Sequence, residues 1–161
     1  MTGAGGAAIN ISLSANGILP LQVHGPIRLT SLSAAGESAN ISLSGVVSEA
    51  PVSIAGGAGA DALRTENCGI LRSFTASLGA GADLFALEAF ANAGSSTFSG
   101  PVRLQGGAGD DTFQIGGATA ATAIDFRSAV TLDGGAGADV LTTGSEVIFD
   151  LSGQPVMLNF P

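Results

Sequence analysis

The sequence predicts an all-β chain wound as a right-handed parallel β-helix, a β-solenoid of about six rungs of 22–28 residues. Three observations carry that expectation. A nine-residue glycine-rich stretch, "GGAGDDTFQ" at 106–114, returns as "GGAGADVLT" at 134–142, after "GGAGADALR" at 56–64 and "LGAGADLFA" at 78–86. Short alternating strands keep the same period: "GPIRL", "APVSI", "SFTAS", "GPVRL", "SAVTL" and "QPVML". The composition agrees, with 25 Gly, 8 Phe and no Trp or Tyr, which suits a backbone that turns often and stacks closely on itself.

The elements follow in order along the chain. Residues 1–25 are expected to form an irregular first rung of a single domain over 1–161, and residues 26–161 the regular rungs. The four clear turns begin at 56, 78, 106 and 134, giving spacings of 22, 28 and 28. Weaker copies fit at "SAAGES" (33–38), 23 residues before the first clear one, and at "TGAGGA" (2–7). In the strands, Ile27, Val52, Phe74, Val102, Val130 and Val156 recur at 25, 22, 28, 28 and 26. A rung is then three strands, for example "PVRLQ", "TFQIG" after the glycine turn, and "AIDFR" before the next repeat. Alternation places Val102, Leu104, Phe113, Ile115, Ile124 and Phe126 inside. Such rungs bury their apolar faces only by stacking. A β-sandwich also fits many short strands with glycine turns, although it has no reason to repeat one turn sequence.

Charge narrows the function. Thirteen acids against five arginines leave a net charge of −8, with no basic cluster to neutralise phosphates, so nucleic acid is not an expected partner. No apolar run reaches membrane-spanning length, so membrane insertion is not expected. The start "MTGAGGAAINISLS" lacks the basic and apolar regions of a signal peptide. Cys68, the single cysteine, reads as a small buried hydrophobe, and His24, the single histidine, as a surface or turn residue.

The nine-residue motif resembles the RTX, or hemolysin-type, calcium-binding nonapeptide G-G-x-G-x-D-x-U-x, with U a large apolar residue. Three copies match at every specified position, and the copy at 78–86 departs only at Leu78. The U slot holds Leu63, Phe85, Phe113 and Leu141. The resemblance implies Ca2+ between stacked turns, held by glycine carbonyls and aspartate oxygens. On this chain those residues are Gly56, Gly57, Gly59 and Asp61; Gly79, Gly81 and Asp83; Gly106, Gly107, Gly109 and Asp111; and Gly134, Gly135, Gly137 and Asp139. Asp110 is an added turn ligand or a solvated acid. The chemistry agrees: calcium takes six to eight hard oxygens in flexible geometry, and glycines let carbonyls converge. Four aspartates in one slot also stack as a ladder. Charges about 5 Å apart repel by roughly 0.8 kcal/mol in water and over 3 kcal/mol at an effective dielectric of 20, and a cation relieves this.

Other readings stay open at this stage. The family's repeats run in direct tandem, whereas here each copy is isolated by 13 to 19 residues, so one edge alone is available for ions. The turns then also fit calcium-free relics in which Asp caps backbone amides. A β-helical polysaccharide lyase or hydrolase needs clustered carboxylates or a cationic base. The candidates are thin: Asp125 with Arg127, Asp110 beside Asp111, and Arg28 and Arg103 three rungs apart. No catalytic residue is therefore assigned, and threonines out of rung register do not make an ice-binding face. The expectation is an extracellular or cell-surface calcium-binding structural or adhesin-type module. "VMLNFP" reads as the first strand of a further rung, so the chain is expected to continue a longer array or to stack end to end.

Overall fold

The computed structural model describes residues 8–15, 19–31, 34–90, 94–117, 123–149 and 155–160. Among them there is no helix, hence none long and apolar enough to cross a membrane. Eighteen strands form three parallel sheets of six, and every sheet takes every third strand. Sheet A contains β1 (Ala8–Ser14), β4 (Ser38–Ser44), β7 (Ala62–Glu66), β10 (Leu84–Leu87), β13 (Thr112–Ile115) and β16 (Val140–Thr143). Sheet B contains β2 (Leu21–Val23), β5 (Val46–Ser48), β8 (Gly69–Ile70), β11 (Ser96–Phe98), β14 (Ile124–Phe126) and β17 (Val147–Phe149). Sheet C contains β3 (Ile27–Thr30), β6 (Val52–Ala55), β9 (Phe74–Ala80), β12 (Val102–Ala108), β15 (Val130–Ala136) and β18 (Val156–Leu158). One strand from each sheet makes a rung. This is a parallel β-helix of six rungs.

Period-2 alternation explains which side chains fill it. Val102, Leu104, Phe113, Ile115, Ile124 and Phe126 are all buried, as the strand pattern requires. Register then stacks like on like. Ile41, Leu63, Phe85 and Phe113 form one inward column, and Val52, Phe74, Val102 and Val130 another. Phe85 lies on Phe113 with ring centroids 4.5 Å apart, while Phe98, Phe126 and Phe149 stack at 5.4 and 5.3 Å. Each buried phenyl contributes roughly 2–3 kcal/mol of transfer free energy, so aromatic columns carry a core built from short strands. Cys68 is buried with its sulfur near the Leu43 and Glu66 carbonyls, and desolvation first of all pushes its thiol up to about 11.

Register departs from the expectation in three places. Thr131, not Val130, pairs with Val156, so the last period is 25 and Val156 leaves the inward column. The shift sets Met157 over Leu132 and Leu158 over Asp133. Phe160 turns back to meet the Phe113 ring edge-on at 5.1 Å. At the other end, β1 and β2 lie within residues 1–25 and pair in register with β4 and β5, so the strand ladder extends upstream of residue 26. The turn drawn over 33–38 is offset by one residue: the bond from Ala39 N–H to Asp61 puts Ala39 in the aspartate slot, 22 residues upstream. Ser33 and the "TGAGGA" copy at 2–7 lie outside the described residues.

Candidate metal centre

All four glycine turns lie on the corner where sheet C passes to sheet A. The sheet C strands β9, β12 and β15 run on into their turns. Gly79, Gly107 and Gly135 therefore pair in register, as do Ala80, Ala108 and Ala136. Glycine is required here by contact as well as by conformation. Gly107 and Gly109 have φ of 121° and 127°, and a Cβ on either would collide with the carbonyl oxygen of Gly79 or Gly81 one rung below. The same relation sets Gly59 O against Gly81 and Gly109 O against Gly137. Rows of carbonyl oxygens thus run along the corner in spaces that only glycine leaves open.

The aspartates stack inside this corner. Asp61, Asp83, Asp111 and Asp139 are each at most 2% exposed. Each Oδ1 accepts the backbone N–H of the slot one rung earlier: Asp61 from Ala39 at 2.8 Å and Asp83 from Asp61 at 2.7 Å. Asp111 accepts from Asp83, and Asp139 from Asp111, both at 2.9 Å. The second oxygen differs along the ladder. Asp61 Oδ2 accepts Gly57 N–H at 2.7 Å, whereas Oδ2 of Asp83, Asp111 and Asp139 is buried without a hydrogen-bond partner. The Oδ2 atoms of Asp111 and Asp139 lie beneath the first glycine of their turns, since a Cβ on Gly106 or Gly134 would strike them.

An unpartnered buried carboxylate oxygen costs on the order of several kcal/mol, and here the charges also face one another. Burial first, then the charges of Asp111 and Asp61, pushes Asp83 up to about 6. Asp111 also rises to about 6, through burial and then Asp139 and Asp110. The backbone N–H groups oppose these shifts without cancelling them. Nitrogen and sulfur donors are missing from the described corner, so its chemistry suits a hard cation such as calcium. Among the described residues no three acid, His or Cys side chains converge on one point, so an ion here must draw on the carbonyl rows.

The family comparison agrees with this arrangement. The RTX calcium-binding nonapeptide repeat (4 copies) matches residues 99–117 and 127–146, which span the turns at Gly106 and Gly134. These two segments are similar to RTX repeats. No curated protein and no solved structure matches the chain.

The remaining acids take other places. Asp110 Oδ1 accepts Ala138 N–H at 2.8 Å, bridging two glycine turns on the exposed side. Asp125 pairs with Arg127 at 2.7 Å on the outer face of sheet B, and Arg28 and Arg103 occupy one outward column three rungs apart. His24 meets Glu49 at 2.9 Å on the surface. Two buried acids escaped the sequence reading. Glu66 and Glu88 stack at the corner where sheet A passes to sheet B, each five residues beyond an aspartate of the ladder. That fixed offset from Asp61 and Asp83 was the available signal.

Proposed function

We propose that the chain is a calcium-binding β-solenoid module of an extracellular or cell-surface protein, with a structural or adhesin-type role. The observation that supports it is the set of three buried, unpartnered Oδ2 atoms of Asp83, Asp111 and Asp139, stacked beside glycine carbonyl rows. In this reading calcium lies between successive turns. Its ligands are these oxygens with carbonyls from Gly56, Gly57, Gly59, Gly79, Gly81, Gly106, Gly107, Gly109, Gly134, Gly135 and Gly137, and Asp61 closes the row. Asp110 adds an oxygen at the exposed rim. Affinity is expected at roughly 10⁻⁴–10⁻³ M, the range of extracellular modules. Calorimetric titration with calcium tests it. Binding that weakens in Asp111→Asn supports the reading, and melting unaffected by calcium or chelator overturns it.

One observation favours a second reading. The four Oδ1 atoms already accept backbone amides, so the aspartates act as structural caps with or without an ion. The same titration separates the two.

The module's partners are further rungs, from a second copy or from a longer chain. The outer edges of β16, β17 and β18 end their sheets, and Val140, Ile148, Val156, Met157 and Leu158 are exposed there. Sedimentation should show concentration-dependent association that Met157→Glu suppresses, since Met157 continues the Leu132 column. A monomer at high concentration overturns this part.

A further inference from the structure

The corner between sheets A and B holds the molecule's other stacked acids. Glu88 follows β10 and Glu66 ends β7, and Leu87 pairs with Thr65, so the two glutamates are neighbours one rung apart. Glu66 is 7% exposed and Glu88 fully buried. Each uses one oxygen and leaves the other idle. Glu88 Oε2 accepts Asn67 N–H at 2.8 Å and the Ser96 hydroxyl, whose oxygen in turn accepts Cys68 N–H at 2.9 Å. Glu66 Oε1 accepts Phe90 N–H at 3.2 Å. Glu66 Oε2 and Glu88 Oε1 are buried and have no donor.

We propose that Glu66 and Glu88 share one proton between Glu66 Oε2 and Glu88 Oε1, making a pH-operated clasp on this corner. Two carboxylates stacked in a dry site cannot both stay charged cheaply, and one proton turns their repulsion into a hydrogen bond. The step is an uptake of one proton from solvent to one carboxylate oxygen. A cation fits less well, because only two oxygens are idle, far short of the six to eight that calcium takes. The glycine carbonyls at this corner, those of Gly116 and Gly117, pack against Gly144 in the later rungs. The clasp matters because of what the pair holds. Through Asn67, Phe90 and Ser96 it ties the third-rung corner to both described ends of the β10–β11 connection.

The surroundings leave the proton as the balancing charge. Arg64 lies outside, bonded to Asn40 at 3.3 Å with its guanidinium 5.8 Å from the Phe90 ring centroid. Cys68 is a neutral thiol, raised to about 11. The rungs on either side bring Ser44 and Gly116 to this column, and Asp125 on β14 is paired outward with Arg127. Desolvation first, then the Glu88 charge, raises Glu66 to about 7. An acid raised in the folded state gives stability that is complete below its unfolded value and lost as pH rises, here through about 7.

The experiment follows glutamate side-chain carboxyls by selective carbon-13 NMR, with saturating calcium throughout so that the aspartate ladder is held constant. Hydrogen exchange of the Asn67 and Phe90 amides is read in parallel. One glutamate signal should titrate near neutrality. Above that pH the protection of the two amides, taken relative to their intrinsic rates, should fall by up to about tenfold per pH unit. Glu66→Gln and Glu88→Gln each supply a permanent N–H across the gap and should keep the amides protected at high pH. If all glutamates titrate at ordinary values, or a folded glutamine variant keeps the wild-type profile, the clasp is wrong. A midpoint that moves when calcium is raised further above the level that saturates the ladder also overturns it, in favour of a cation at this corner.

Discussion

The coil has two acidic corners, and they resolve the same conflict differently. Both stack carboxylates one rung apart in a dry site. At the glycine corner the column is four aspartates long, and every Oδ1 takes an amide from the preceding rung. Bare glycine backbones there leave room for rows of carbonyls. The glutamate corner is two acids long and is bounded by Ser44 and Gly116. A long oxygen-lined row suits a divalent ion, and an isolated pair suits a proton. The number of oxygens beside the charge, more than the charge itself, decides which cation it wants.

The sharpest way to break the comparison is to fill the glycine corner. Gly107→Ala needs a Cβ where Gly79 O sits and a φ of 121°, so urea unfolding should show a loss on the order of 3–5 kcal/mol. A neutral result would mean the carbonyl rows are not close-packed. Next comes the pH response. Asp83 and Asp111 are raised acids in the ion-free protein, so without calcium stability should be greatest below pH about 4 and fall as pH rises through about 6. Calcium favours the ionised forms and should flatten or reverse that fall in thermal melts. Asp111→Asn removes one ladder charge and should weaken calcium binding by about tenfold, about 1.4 kcal/mol, by calorimetry. The smallest effect belongs to the third corner, between β2 and β3. A Cβ on Gly25 meets nothing within 4 Å, so Gly25→Ala should change stability by no more than about 0.5 kcal/mol.

Much of this was legible because repetition reports both fold and site. The shared period of the glycine turns and the Val52, Phe74, Val102 and Val130 positions shows the rungs, and alternation shows the core. The aspartate slot was plain for the same reason. What was hidden depends on register. Val156 sits in a sequence that looks like its predecessors, and only strand pairing shows it displaced by one residue. "SAAGES" resembles a turn, yet the slot that matters is Ala39, just beyond it. Glu66 and Glu88 stand in "RTEN" and "LEAF", which share only the glutamate's offset of five residues from the ladder aspartate. Their pairing follows from the 22-residue rung, and it shows only when both are counted from the aspartate slot.

The aspartate ladder also has a direction. Every bond runs from an amide to a carboxylate one rung nearer the C-terminus, and none of the four described runs the other way. Peeling the stack from its C-terminal end takes each carboxylate away with the departing rung and leaves behind a bare N–H. Peeling it from the N-terminal end strips the amide and leaves a charged carboxylate in place. The two ends should therefore resist force unequally: a pull on one end meets the cost of an orphaned dipole, and a pull on the other meets that of an orphaned charge. Loading with calcium should narrow the difference, since the ion stays with the carboxylate that has lost its amide.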